Sequence, residues 1–165
     1  MPERVHGTAV GIAGRAVLLR GPSGAGKSDL ALRLIGAGSG TPWTEQPVRL
    51  VADDQVLITV EAGLLIASSP EPIQGLLEIR GVGVVEVPSV DRATLALVVD
   101  LVDRRAVPRL PEPDATILFG VRLPRLSLDA FSASTHLKVL AALAHHLNEP
   151  GKQATAPKPL ASHRD

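Results

Sequence analysis

Short apolar runs bounded by glycine, proline and charged residues fill most of this chain, and helical periodicity is confined to two stretches. Residues 5–10 and 15–20 flank Gly11-Ile12-Ala13-Gly14, a pattern that predicts a β-hairpin. Residues 28–35 are helix-forming, with Gly36 or Gly38 as a C-terminal stop. The Gly-, Ser-, Thr- and Pro-rich residues 36–47, which hold the lone Trp43, read as a long connection. A buried strand over 48–52 ends at Asp53-Asp54, and 56–60 with 63–67 predict a second hairpin. Residues 95–102 and 115–121 predict two more strands, separated by Asp103-Arg104-Arg105 and a proline-rich stretch over 108–113. The last helix is predicted over 134–147, with Leu137, Leu140, Ala141 and Ala144 on one stripe. The expected fold is α/β with a strand-rich mixed sheet and few helices. One domain is expected over 1–148, followed by a disordered tail over 149–165 that is rich in Gly, Pro, Lys and Ala.

Between the strand over 15–20 and the first helix lies Gly21-Pro22-Ser23-Gly24-Ala25-Gly26-Lys27-Ser28, which fits the phosphate-loop pattern G-x-x-x-x-G-K-[ST]. The order of strand, glycine turn and helix N-terminus is the one this chemistry needs. Glycines let successive N–H groups converge on phosphate oxygens at the positive end of the helix dipole. Lys27 then reaches the β- and γ-phosphates, and the Ser28 hydroxyl is placed to ligate Mg²⁺. The alternative is an ordinary glycine-rich turn before a helix, though a chance match at all four fixed positions, in this strand-and-helix setting, is uncommon.

Composition narrows the partners. Lys plus Arg and Asp plus Glu are 17 each, so there is no net basic field for a nucleic-acid backbone, and two Phe with one Trp leave little for base stacking. The chain has no cysteine, which removes disulfides, thiolate metal sites and cysteine nucleophiles. The N-terminus shows no basic-then-apolar signal pattern, and the longest apolar stretch, over 95–102, is broken by Asp100. No nucleic acid and no membrane partner is expected, and the cytoplasm is the expected location.

A phosphate loop needs a carboxylate near its metal, commonly at the end of a neighbouring apolar strand. Leu50-Val51-Ala52-Asp53-Asp54 has that form and alternatively reads as a solvated turn. Leu97-Val98-Val99-Asp100 has it too, but the apolar run continues, which suits a mid-strand Asp paired with Arg104 or Arg105. In Gly75-Leu76-Leu77-Glu78-Ile79-Arg80-Gly81-Val82-Gly83-Val84-Val85, an acid and a base two residues apart share one face before a Gly-x-Gly bend. By itself this segment also fits an alternating edge strand with an ion pair across its face.

Taken together, Val5-His6-Gly7, the phosphate loop, Arg49-Leu50-Val51-Ala52-Asp53-Asp54 and Leu77-Glu78-Ile79-Arg80-Gly81-Val82-Gly83 resemble the catalytic domain of HPr kinase/phosphorylase. These ordered motifs span residues 5–85, with a weaker likeness in Val107-Pro108-Arg109-Leu110-Pro111. The resemblance implies a P-loop kinase domain that uses ATP and Mg²⁺ to phosphorylate a serine of HPr or an HPr-like phosphocarrier of the bacterial phosphotransferase system. Often such a domain also removes that phosphate with inorganic phosphate as the attacking group. It implies that the loop from Gly21 through Pro22, Ser23, Gly24, Ala25 and Gly26 to Lys27 and Ser28 binds the nucleotide, and that Ser28 and Glu78 hold the metal. One of Asp53 and Asp54, with Asp54 favoured, is then the general base, His6 lies near the bound phosphate, and Arg80 and Arg109 are further catalytic candidates. A homo-oligomer is expected.

The sequence also departs from that pattern. It starts close to the first catalytic motif and so resembles the shortened forms without an N-terminal domain. Where the family carries a basic Pro-Gly-Arg-Asn-like stretch near its last helix, this chain has Leu126-Ser127-Leu128-Asp129-Ala130-Phe131. Weak reverse activity is the expectation from that difference. Two other readings share the phosphate loop: a small-molecule kinase, whose arginine-bearing lid would fall at Arg104, Arg105 and Arg109, and a regulatory module that binds nucleotide without transferring phosphate.

Overall fold

The computed structural model describes residues 1–147, so the expected tail over 149–165 lies outside the described residues. Eleven strands and two α-helices follow in the order β1 (Glu3–His6), β2 (Thr8–Ile12), β3 (Arg15–Arg20), α1 (Lys27–Gly36), β4 (Arg49–Ala52), β5 (Gln55–Glu61), β6 (Leu64–Ser68), β7 (Leu76–Ile79), β8 (Gly83–Glu86), β9 (Arg92–Leu101), β10 (Ala115–Leu118), β11 (Val121–Leu128) and α2 (Thr135–Leu147). Nine strands form one mixed sheet along β1-β5-β6-β9-β3-β2-β4, with β11 on β9 and β10 on β11, while β7 and β8 pair by themselves. The strand-rich mixed sheet with few helices is therefore as the sequence predicts.

Direction decides where the chemistry can gather. β9 and β11 run parallel to each other and β9 runs parallel to β3, whereas β2 is antiparallel to both β3 and β4. The carboxyl ends of β3, β4, β9 and β11 thus lie at one end of the sheet, where ligands bind in α/β folds.

β3 is apolar at successive positions because both of its faces are buried. Val17 and Leu19 pack with Leu30, Leu34, Leu140 and Leu143 of the helices, while Ala16 and Leu18 pack with Val51, Val56, Ile58 and Leu65 inside the curled sheet. Each fully buried leucine of this kind contributes about 1.5–3 kcal/mol. In β9, Leu95 and Leu97 belong to opposite cores despite being two residues apart. A register shift against β3, where Ala16 faces Leu95 and Val17 faces Leu97, inserts an extra residue and reverses the alternation.

Several element boundaries differ from expectation. The stretch over 5–10 is two strands, because Gly7 interrupts it: a Cβ there would stand 2.8 Å from the Leu19 carbonyl oxygen. β1 leaves the hairpin and pairs with β5, while β2 pairs with β3. The expected strand over 115–121 is a hairpin, turned at Phe119 and Gly120 with φ of 47° and 80°, and its second strand continues to Leu128. β9 begins at Arg92, ahead of the predicted start. On α2 the buried apolar side chains among the described ones are Val139, Leu140 and Leu143, with Thr135 buried at its start, whereas Leu137, Ala141 and Ala144 of the predicted stripe are only half-buried. The stripe is rotated towards Val139 and Leu143, on the side that packs on α1 and β9. The hairpin of β5 and β6 forms as predicted.

Candidate functional site

The phosphate loop connects β3 to α1 and is shaped by backbone angles that favour glycine, with φ of 82° at Gly24 and 94° at Gly26. Close packing adds a second constraint at Gly26, where a Cβ would lie 2.8 Å from the Cβ of Ala130. Lys27, the first residue of α1, is 8% exposed, and its Nζ donates to the carbonyls of Gly21 at 2.7 Å and Pro22 at 3.0 Å. The ammonium is thereby held along the loop and not released into solvent.

β4 delivers Asp53 and Asp54 to the same end of the sheet, and the two carboxylates have opposite surroundings. Asp53 is 7% exposed and accepts from Ser28 Oγ at 2.8 Å, Thr8 Oγ1 at 2.9 Å and the Glu78 backbone N–H at 3.2 Å. A buried carboxylate needs such partners to offset its lost hydration. Asp54 is exposed, has a left-handed φ of 64°, and brings Oδ1 within 3.5 Å of His6 Nδ1. Its carbonyl accepts from Gly7 N–H at 3.1 Å, which ties the junction of β1 and β2 to the end of β4. The pair is divided between interior and surface by a left-handed turn and not by the alternation of an extended chain.

These groups share a cleft of about 380 Å³. Its polar lining includes His6, Ser28, Asp53, Asp54, Glu78 and Arg80, together with Lys27 and the loop at Ser23, Gly24 and Gly26. Glu78 and Arg80 are exposed at the end of β7 and form no ion pair with each other among the described residues. Gly21, Pro22 and Ala25 form the back of the loop and do not line the cleft. Arg109 is also outside it, exposed between the short 3₁₀ turn Arg104–Ala106 and β10. The weaker likeness over 107–111 therefore places no arginine in this cleft.

Asp100 is outside as well, and its partners are not Arg104 or Arg105. Arg20 binds it twice, at 2.7 and 3.0 Å, and Arg125 approaches to 3.6 Å. Parallel pairing sets Arg20 of β3 directly beside Asp100 of β9 and Ser127 of β11 on its other side, a register invisible from local sequence. Arg105 instead bonds Asp103, and that hydrogen bond, with another from the Arg105 N–H, holds the exposed Asp103 carboxyl below its ordinary range.

A metal ion fits this donor set. The Ser28 hydroxyl donates its hydrogen bond to Asp53, so the Ser28 oxygen keeps its acceptor capacity, and the Glu78 carboxylate is exposed in the same cleft. Among the described residues there is no group of three or more His, Cys, Asp or Glu that could enclose an ion. Mg²⁺ keeps waters and takes ligands from phosphates, so Ser28 and Glu78 are the protein oxygens here that would hold it.

Thr8, Leu32, Ile79 and Phe131 also line the cleft, and none stands out in the sequence. Thr8 lies 45 residues from the Asp53 it binds, and only sheet pairing brings the two together. No helix of the described residues is long and apolar enough to cross a membrane.

A phosphate loop on a strand-rich mixed sheet, with an acid at the end of β4 bonded to the loop serine, is the arrangement of a P-loop fold. Comparison with known proteins narrows this. The HPr Serine kinase C-terminal domain family matches residues 1–155, and the chain belongs to that family. It is 47% identical over 89 residues to HPr kinase/phosphorylase of Clostridium tetani, which is 53% of this chain and 26% of that protein. It is 48% identical over 84 residues to HPr kinase/phosphorylase of Bacillus cereus, covering 50% of this chain and 24% of that protein. The chain thus spans about a quarter of the length of the curated relatives it matches. The solved HPr(Ser) kinase/phosphatase of Coxiella burnetii shares the fold, with a TM-score of 0.74 and 24% identity over 88% of this chain and 91% of that one.

Proposed function

We propose that this chain is a serine protein kinase that uses ATP and Mg²⁺ to phosphorylate HPr or an HPr-like phosphocarrier, with weak phosphorolysis in reverse. One observation carries the reading: Asp53 binds the loop serine inside the protein, while its neighbour Asp54 stands beside His6 on the exposed side of the same cleft.

The roles divide by burial. Asp53, with its carboxylate already bonded to Ser28, Thr8 and Glu78 N–H, positions Ser28. Asp54 is accessible to a serine hydroxyl of a protein acceptor and is the better general base. In the forward reaction the acceptor Oγ bonds to the γ-phosphorus as the bond to the β-phosphate oxygen breaks, and the hydroxyl proton passes to Asp54. A carboxylate is a weak base for an alcohol, so this proton moves late. Lys27 moves from the Gly21 and Pro22 carbonyls to phosphate oxygens and neutralises their charge. When bound at Ser28 and Glu78, Mg²⁺ supplies further neutralisation. In this reading His6 and Arg80, which line the same cleft, hold the transferring group or the acceptor.

In reverse, an oxygen of inorganic phosphate bonds to the phosphoserine phosphorus as its bond to the serine Oγ breaks, so that pyrophosphate forms and Asp54 returns the proton to that Oγ. Residues 126–131, which end β11 and enter the next loop, contain no basic side chain to receive a phosphorylated partner, which supports a slow reverse step. In this reading the protein works in the cytoplasm as a homo-oligomer. A lid-bearing small-molecule kinase is disfavoured, since the described segment over 103–114 holds only the 3₁₀ turn Arg104–Ala106 and no lid helix.

The test is incubation with Mg-ATP and purified HPr-type phosphocarriers, followed by mass spectrometry. Phosphate on a single serine, lost in Asp54→Asn, is the expected result. Nucleotide binding with no acceptor labelled in any carrier would favour the regulatory module.

A further inference from the structure

The chain contains two Phe, one Trp and no Tyr, yet one of these few aromatic rings stands at the cleft with 71% of its surface exposed. Phe131 follows β11 in the loop that leads to α2, and β11 runs parallel to β9 and β9 to β3. Its loop therefore emerges at the same end of the sheet as the phosphate loop. The contact between them is close: the ring atoms Cε1 and Cζ lie 3.3 Å from where a Cβ on Gly26 would stand.

Exposing a phenyl ring forfeits its burial, so what holds it there matters. Arg33 of α1 donates to the carbonyl of Ala130 and, at 3.2 Å, to that of Ser132, which fastens the backbone on both sides of Phe131. Asp129 Oδ1 accepts the Phe131 N–H at 3.0 Å, and Thr135 Oγ1 donates to the Asp129 carbonyl. Ala130 is buried against Gly26. The loop is pinned from four residues, and what it presents is an apolar plane, with Leu32 of α1 as a second apolar group in the same cleft.

We propose that Phe131 is the surface on which the base of the nucleotide stacks. The inference rests on the reading of the 21–28 loop as a nucleotide phosphate site. That loop, with Lys27 and Ser28, offers only charge and hydrogen bonds, so it recognises the polyphosphate and leaves the base to another element. Phe131 and Leu32 are apolar side chains of the cleft beside it, and aromatic rings take any base by its π-face.

The test measures binding of ATP and of inorganic tripolyphosphate to the full chain, by calorimetry, for wild type, Phe131→Ala and Phe131→Trp. Phe131→Ala is expected to weaken ATP on the order of tenfold and leave tripolyphosphate unchanged, with Phe131→Trp restoring ATP. Unchanged ATP affinity in Phe131→Ala would overturn the proposal, whatever happens to acceptor kinetics. An equal loss of ATP and tripolyphosphate would also overturn it, since the ring would then only be supporting the loop. Failure of the wild type to bind tripolyphosphate would overturn the phosphate-loop reading itself. Because the ring is exposed, the melting temperature of Phe131→Ala should stay near that of the wild type, which separates a binding effect from misfolding.

Discussion

Ser28 Oγ donates to Asp53 Oδ1 at 2.8 Å, a bond across 25 residues that joins the first turn of α1 to the end of β4. It makes the serine of the phosphate loop and the acid at the end of β4, two strands away from β3 in the sheet, one unit. The sequence leads one to expect both groups near a nucleotide. Only this contact says which of the two adjacent acids is committed to the loop.

Asp53→Asn and Asp54→Asn should therefore behave differently. Asp53 accepts three hydrogen bonds in the interior, so the amide, with one acceptor oxygen fewer, should cost about 1–3 kcal/mol of stability as well as activity. Asp54 is exposed at a left-handed φ that Asn tolerates, so its replacement should leave the melting temperature unchanged and lower kcat alone. Thermal melts beside kinase rates check both, and a stability loss confined to Asp54→Asn would reverse the roles.

Lys27→Ala should reduce phosphoryl transfer by at least ~10²-fold, because among the described residues its ammonium is the one lysine charge lining the cleft and able to follow the migrating phosphoryl group. Single-turnover kinetics on a folded variant measure this. A rate near wild type would remove Lys27 from the mechanism.

Glu78→Gln should raise the Mg²⁺ concentration for half-maximal activity several-fold, since a neutral amide is a poorer ligand for a hard cation. The Glu78 backbone N–H still binds Asp53, so the strand should keep its place and the melting temperature should hold. A Mg²⁺ titration decides the matter, with an unchanged midpoint returning Glu78 to an ordinary edge position.

Asp100→Asn should lower stability by about 1–2 kcal/mol through its weakened contact with Arg20 and Arg125, while nucleotide affinity stays within twofold. Denaturant melts and ATP titration test the pair of outcomes. A large loss of nucleotide affinity at unchanged stability would move Asp100 into the site.

Sequence by itself determined the phosphate loop, its strand and helix, the apolar strand ending in two acids and the hairpin of β5 and β6, because each depends on residues adjacent in the chain. Glycine angles, a hairpin turn and alternation of side chains are local properties. Tertiary structure alone decided what those parts meet. Thr8 reaches Asp53, Arg20 reaches Asp100 and Arg33 fastens the loop of Phe131 through strand order, direction and register, which no local pattern contains. The break at Gly7 and the reversal of alternation in β9 arise the same way, from a neighbouring carbonyl and a displaced register. Asp53 and Asp54 are chemically identical neighbours in the sequence. Burial against Ser28 and Thr8 gave one a structural partner set, and a left-handed turn left the other beside His6 in the open cleft.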